Sequence, residues 1–189
     1  MSKPLASLSQ WALMLLISSF LFVAFFRLND WLFSGLEHTS GVNWIFLPAG
    51  FRILLVLVFG MPGALGIVLG NLWLDQSQLQ AAHSLAVVLI ALASGLGPWL
   101  VKRWMESLGL LDRQLRDITA HRLLHFVLLY AIVNAVSHQL IRWAFQPETA
   151  KPWLDVWPMF IGDAIGALVM LYVMKLGLPW FRQLAYKRV

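Results

Sequence analysis

From Trp44 to Gly60 the chain is apolar except at one position, Arg52, and Pro48 and Gly50 interrupt the run just before that charge. An ionisable side chain within a membrane segment is costly and calls for a partner or a water-filled cavity. Pro48 removes a backbone donor and Gly50 loosens a helix, so either a kinked helix leaves carbonyls free or the helix begins at Pro48. The segment is read as a membrane helix broken at Pro48–Gly50. Such a break is tolerated at membrane depth only where protein or a cavity satisfies the backbone. If the helix starts at Pro48, its N-terminal dipole and Arg52 together favour an anionic group.

The remainder of the chain supports the membrane setting. Hydrophobic residues make up 60% of the sequence and charged residues 12%, with a mean hydropathy of +0.74, beyond the balance of soluble domains. Tryptophans such as Trp11, Trp44, Trp73, Trp104 and Trp153 fall near the ends of apolar runs, as an interfacial belt requires. The absence of cysteine excludes disulfides and thiolate metal sites. A net charge of +5 does not indicate nucleic acid, because the basic residues are dispersed over loop ends. Arg27-Leu28-Asn29-Asp30 lacks a small-residue cleavage pattern, so the first apolar segment is an uncleaved span.

With a spanning helix taken as about 20 residues, the sequence predicts an all-α, polytopic membrane bundle of about six transmembrane helices at 9–27, 42–60, 62–76, 82–101, 122–145 and 156–176. Residues 1–189 are read as a single integral membrane domain with no soluble output domain. Residues 28–41 are a mixed loop in which Trp31-Leu32-Phe33 lies on the membrane surface. Residues 102–122, with Leu108, Leu111, Leu115 and Ile118 among charges, suggest an amphipathic helix on or under the bundle. Six spans put ten Lys and Arg on the side of the termini and three on the other, leaving Arg52 within the membrane. Both termini are then cytoplasmic.

Four constellations stand out. Arg52 and Asp163 lie about ten residues in from the outer ends of two segments that run in the same direction, so the sequence predicts a contact between them, either as a structural bridge or within a polar pocket. Gly162 and Gly166 flank Asp163, and Gly66 and Gly70 form a second pair, each at the small-xxx-small spacing that lets helices approach closely. Tyr130, Asn134, His138 and Arg142 recur every fourth residue, a polar stripe expected to face the bundle interior. Asn71 is expected to face the same interior.

No catalytic pattern is present: there is no phosphate-binding glycine loop, no nucleophile elbow and no histidine pair around a glutamate. His121 and His125 are spaced to share a helix face, but no carboxylate joins them at metal-site spacing. The chain is therefore read as a non-enzyme that holds neither metal nor cofactor.

Trp44 to Gly60, with its Leu-Pro-Ala-Gly core, resembles the signature helix of the MASE-type membrane-associated sensor domains. Gly66 to Trp73, containing Leu69-Gly70-Asn71-Leu72, is similar to that family's glycine-rich next helix, and Trp157 to Leu171 is similar to its closing helix. The resemblance implies a bacterial inner-membrane sensory module, usually fused to a histidine kinase or a diguanylate cyclase. This chain departs from the family in having fewer spans and in ending without either enzyme, which implies that it acts through a partner.

The sequence thus leads to a sensory or signalling module whose pocket is formed by Arg52, Asp163, Asn71, Asn134 and His138. Its partners would be the bilayer and a cytoplasmic or membrane protein such as a kinase, a cyclase or a transporter subunit, and not nucleic acid. A small-molecule transporter or its substrate-binding subunit is the first alternative. A structural subunit whose polar residues only fix packing is the second.

Overall fold

The computed structural model describes residues 3–33, 35, 37–39, 42–80, 84–112 and 119–186, with side chains placed over 8–33, 35, 38, 42–79, 84–112 and 119–176. Within them are six α-helices: α1 (Lys3–Phe33), α2 (Leu47–Phe59), α3 (Met61–Leu74), α4 (Ser84–Ser107), α5 (Ala120–Phe145) and α6 (Pro152–Tyr186). A small antiparallel hairpin of β1 (Glu37–Thr39) and β2 (Val42–Asn43) lies between α1 and α2, pairing Glu37 with Asn43 and Thr39 with Val42.

Four segments are long and apolar enough to cross a membrane: Leu8–Phe33, Ser84–Ser107, Ala120–Phe145 and Pro152–Leu176. At 13 and 14 residues, α2 and α3 are about 20 Å long, short of a hydrocarbon core of about 30 Å. The surface suits lipid: Leu16, Phe20 and Val58 are exposed, Phe20 to 73%, and a soluble protein rarely shows so much contiguous apolar area.

α2 is the inner element. It packs on α6, α3 and α1, with lighter contact to α4 and α5, while α1–α3, α3–α4, α4–α5 and α5–α6 pairs surround it. Ala49 and Ile53 join a core with Val101, Met105, Phe126 and Tyr130. Phe51, Leu55 and Val56 join another with Phe22, Ala64 and Ile67. Burying two faces of so short a helix explains why eight of its residues, Arg52 included, are buried.

The expected break at Pro48–Gly50 is instead a helix start. Residues 42–46 are non-helical, α2 begins at Leu47, and Pro48 occupies the first turn, where its missing N–H costs nothing. The exposed end of this helix is covered from α1, because Asn29 Oδ1 accepts the Leu47 N–H at 3.0 Å. Phe46 donates its N–H to the Gly162 carbonyl at 3.1 Å, so the non-helical strap is satisfied by protein. At the other end, Gly60 (φ 63°, ψ −129°) is both the C-cap of α2 and the N-cap of α3, accepting from Ala64 and donating to Val56. That backbone region belongs to glycine.

Other boundaries also move. α1 continues through Trp31-Leu32-Phe33, residues expected in a surface loop, because no Pro or Gly stops it there. No separate amphipathic helix begins at residue 102. Lys102–Ser107 prolong α4, supported by Lys102–Glu106 and Arg103–Glu106 ion pairs at 3.2 and 2.9 Å. α4 stops at Gly109 (φ 70°), where the N–H groups of Gly109 and Leu110 reach back to the carbonyls of Glu106 and Met105, the paired bonds of a Schellman cap. The rest of that expectation, Arg113 to Ile118, lies outside the described residues.

Candidate functional site

The C-terminal ends of α1, α3 and α5 and the N-terminal ends of α2, α4 and α6 gather at one end of the bundle, around a cavity of about 380 Å³. Its charged lining is mixed: Asp30 from α1, Arg52 from α2, Asp75 after α3, Arg142 from α5 and Asp163 from α6. Asn71 and His138 add neutral polar groups, and Phe26, Phe46, Val87, Ile90 and Met159 supply apolar wall. Gln78 is exposed and Asp30, Asp75 and Arg142 are half-buried, which marks the mouth, whereas Arg52 and Asp163 are both 2% exposed and mark the floor.

Arg52 is held from three sides. Its guanidinium carbon lies 5.1 Å from the ring centres of both Phe22 and Phe46, a placement in which aromatic faces attract the cation. Nη1 donates to Tyr130 Oη at 3.2 Å. Nε is buried without a hydrogen-bond partner, and an unmade hydrogen bond at a buried charge is expensive.

The direct Arg52–Asp163 contact predicted from depth does not form. No ion pair joins them among the described residues; Asp163 Oδ2 instead accepts from Asn134 Nδ2 at 2.6 Å. Each charge instead takes a neutral partner from α5: Tyr130 accepts from the arginine, and Asn134, one turn on, donates to the aspartate. The two charges line one cavity without touching.

His138, a further turn along the same face, meets Ser94 Oγ through Nε2 at 3.0 Å. Ser94 lies one turn before Pro98 within α4, so its carbonyl lacks the N–H that a non-proline residue would supply. Asn71 turns its amide back to the Ile67 carbonyl at 2.9 Å while lining the cavity. Of the five pocket residues named from sequence, Arg52, Asn71, His138 and Asp163 line the cavity, and Asn134 stands behind Asp163.

The glycines set how closely these elements approach. A Cβ on Gly162 would strike the Asn43 carbonyl oxygen, and one on Gly166 the Phe46 carbonyl oxygen, so the pair accepts the extended strap of residues 43–46 rather than another helix. A Cβ on Gly50 would come within 2.6 Å of Met170 Cβ and 2.8 Å of Ala167 Cα, bringing α2 onto α6. Gly66 and Gly70 face Ser18, Ser19 and Phe22 of α1.

Sequence reasoning missed Asn29, fully buried, and the rim residues Asp30, Asn43, Asp75 and Gln78. The available signal was register: Ser18, Phe22 and Asn29 fall on one helical face, and all three are buried. At the mouth, burial pushes the Asp75 carboxyl above its ordinary value, with Arg142 pulling against that shift. His38 of the hairpin lies 3.6 Å from Asp155 at the start of α6. No cluster of three metal-ligating side chains occurs among the described residues.

Comparisons with protein families, curated proteins and solved structures find no match.

Proposed function

We propose that the chain is a sensory membrane module without enzymatic output of its own, which binds a small polar ligand in this cavity and passes the bound state to a partner protein. In this reading α2 with its strap and α3 complete a six-span bundle in a bacterial inner membrane. The termini are cytoplasmic and the cavity opens outward, on the side with fewer basic residues. The carrying observation is the floor of the cavity: a buried arginine with an unpartnered Nε beside a buried carboxylate. Charges held so deep are expensive as mere packing and mark ligand or ion sites in membrane proteins. The likeness of Trp44–Gly60 and Gly162–Gly166 to MASE-type sensor helices points the same way, since the two meet at this site. The partner would be a kinase, a cyclase or a transporter subunit reached from the cytoplasmic loop.

The non-helical strap beside the site favours transport as a second reading, because transporters bind substrate at interrupted helices. Proteoliposome experiments separate the two. A sensor binds solute and loses binding in Arg52→Ala and Asp163→Ala without moving solute across the bilayer, whereas uptake that those variants abolish establishes the transporter. Binding unchanged in both variants would refute the pocket as the site.

A further inference from the structure

The chemistry of the cavity narrows the class of ligand, given its reading as a ligand site. Three carboxylates and two arginines line it, so neither a plain anion nor a plain cation suits it. An anion on Arg52 would add negative charge to a lining that already carries more acid than base. A cation beside Asp163 would meet repulsion from the Arg52 guanidinium in the same cavity. A ligand bearing both charges answers both demands. Arg52 offers a planar donor edge, and planar recognition of carboxylate or phosphate is what a guanidinium does better than an ammonium. Asp163 commits Oδ2 to Asn134, and a carboxylate has acceptor capacity beyond one bond. Phe26 adds aromatic wall of the kind that suits ammonium groups. Val87, Ile90 and Met159 supply an apolar flank. A volume of about 380 Å³ equals roughly a dozen waters at about 30 Å³ each, the scale of an amino acid, a betaine or a lipid headgroup.

We infer that the cavity takes a small zwitterion, its carboxylate or phosphate on the guanidinium of Arg52 and its ammonium group on the side of Asp163 and the acidic mouth. The shared chemistry has two sources, a free solute or the headgroup of phosphatidylethanolamine.

The test is calorimetric titration of the full chain in lipid nanodiscs with glycine betaine, γ-aminobutyrate and phosphoethanolamine, against the single-charge probes butyrate, inorganic phosphate and choline. At least one zwitterion should bind ~10-fold or more tightly than every single-charge probe, a gap of one decade in Kd. Arg52→Gln should turn the preference toward choline, and Asp163→Asn toward butyrate or phosphate. A reversal of selectivity is a readout that misfolding does not produce, and Arg52→Lys should keep the zwitterion preference at reduced affinity. Binding of soluble zwitterions in discs of phosphatidylglycerol alone and in discs containing phosphatidylethanolamine identifies a free solute; binding in the former only identifies the headgroup. If a single-charge probe binds as tightly as every zwitterion, the zwitterion assignment falls and the ligand site stands. If no probe of any class binds in either disc, both fall.

Discussion

Asn134 donates its side-chain amide to Asp163 at 2.6 Å, so the carboxylate buried in α6 is held from α5 and not by the arginine that shares its cavity. Arg52 is likewise held from α5, through Tyr130. One helix thus carries the neutral partners of two opposite charges that line one cavity.

Removing the amide should expose the cost of this arrangement. Asn134→Leu leaves the Asp163 carboxylate short of its charge-assisted hydrogen bond and should destabilise the protein by about 1.5–3 kcal/mol. Asp163→Asn should cost less, because an amide can still accept from Asn134. Thermal unfolding in one detergent compares them, and equal losses would count against the pairing.

The start of α2 depends on a residue from another helix. Asn29→Ala removes the acceptor for the Leu47 N–H and should cost about 1 kcal/mol, as loss of a helix cap does. Asn29→Asp keeps an acceptor at that point and should retain more stability than Asn29→Ala in the same unfolding assay.

Close approach makes a sharper contrast. Gly162→Ala drives a methyl into the Asn43 carbonyl and should cost about 1–3 kcal/mol as overpacking. Gly97→Ala meets only Tyr130 Cε2 at 3.8 Å, ordinary van der Waals distance, and should be neutral or stabilising. Equal effects of the two in thermal unfolding would contradict the packing of the strap on α6.

At the mouth, burial holds the Asp75 carboxyl above its ordinary value of 3.8 in the folded state. The folded protein therefore binds that proton more tightly than the unfolded chain, and stability from this group is present below the ordinary value and lost as pH rises through the raised one. Asp75→Asn should flatten stability measured across that acidic window; an unchanged slope would show that Asp75 does not contribute.

Much of this was legible from sequence because membrane physics leaves few options. Length and hydropathy mark α1, α4, α5 and α6. The four-residue recurrence from Tyr130 to Arg142 marks the inward face of α5, where Tyr130, Asn134 and His138 are buried. The depth count brought Arg52 and Asp163 to one cavity but could not resolve their separation, which depends on how Tyr130 and Asn134 are presented by a third helix. Pro48 signalled an interruption equally consistent with a kink and a start. Partners distant in sequence accompany the start: Asn29, eighteen residues away, accepts the Leu47 N–H, and the Gly162 carbonyl accepts that of Phe46. Asp75 and Gln78 are polar residues in a short connection, and nothing in their spacing distinguishes a cavity rim from an ordinary loop.

In the proposed reading the polar cavity is accessible to water and opens on the side opposite the termini. Because the chain contains no cysteine, single-cysteine variants can be read directly with a membrane-impermeant thiol reagent added to oriented vesicles. Ile90→Cys, on the cavity wall, should be modified from the external face and protected from modification at the internal face, while Leu100→Cys, 55% exposed on the outer surface of the same helix, should stay unmodified in lipid. Modification of Ile90→Cys from the cytoplasmic face alone, or no modification from either face, would contradict a cavity open to the external side.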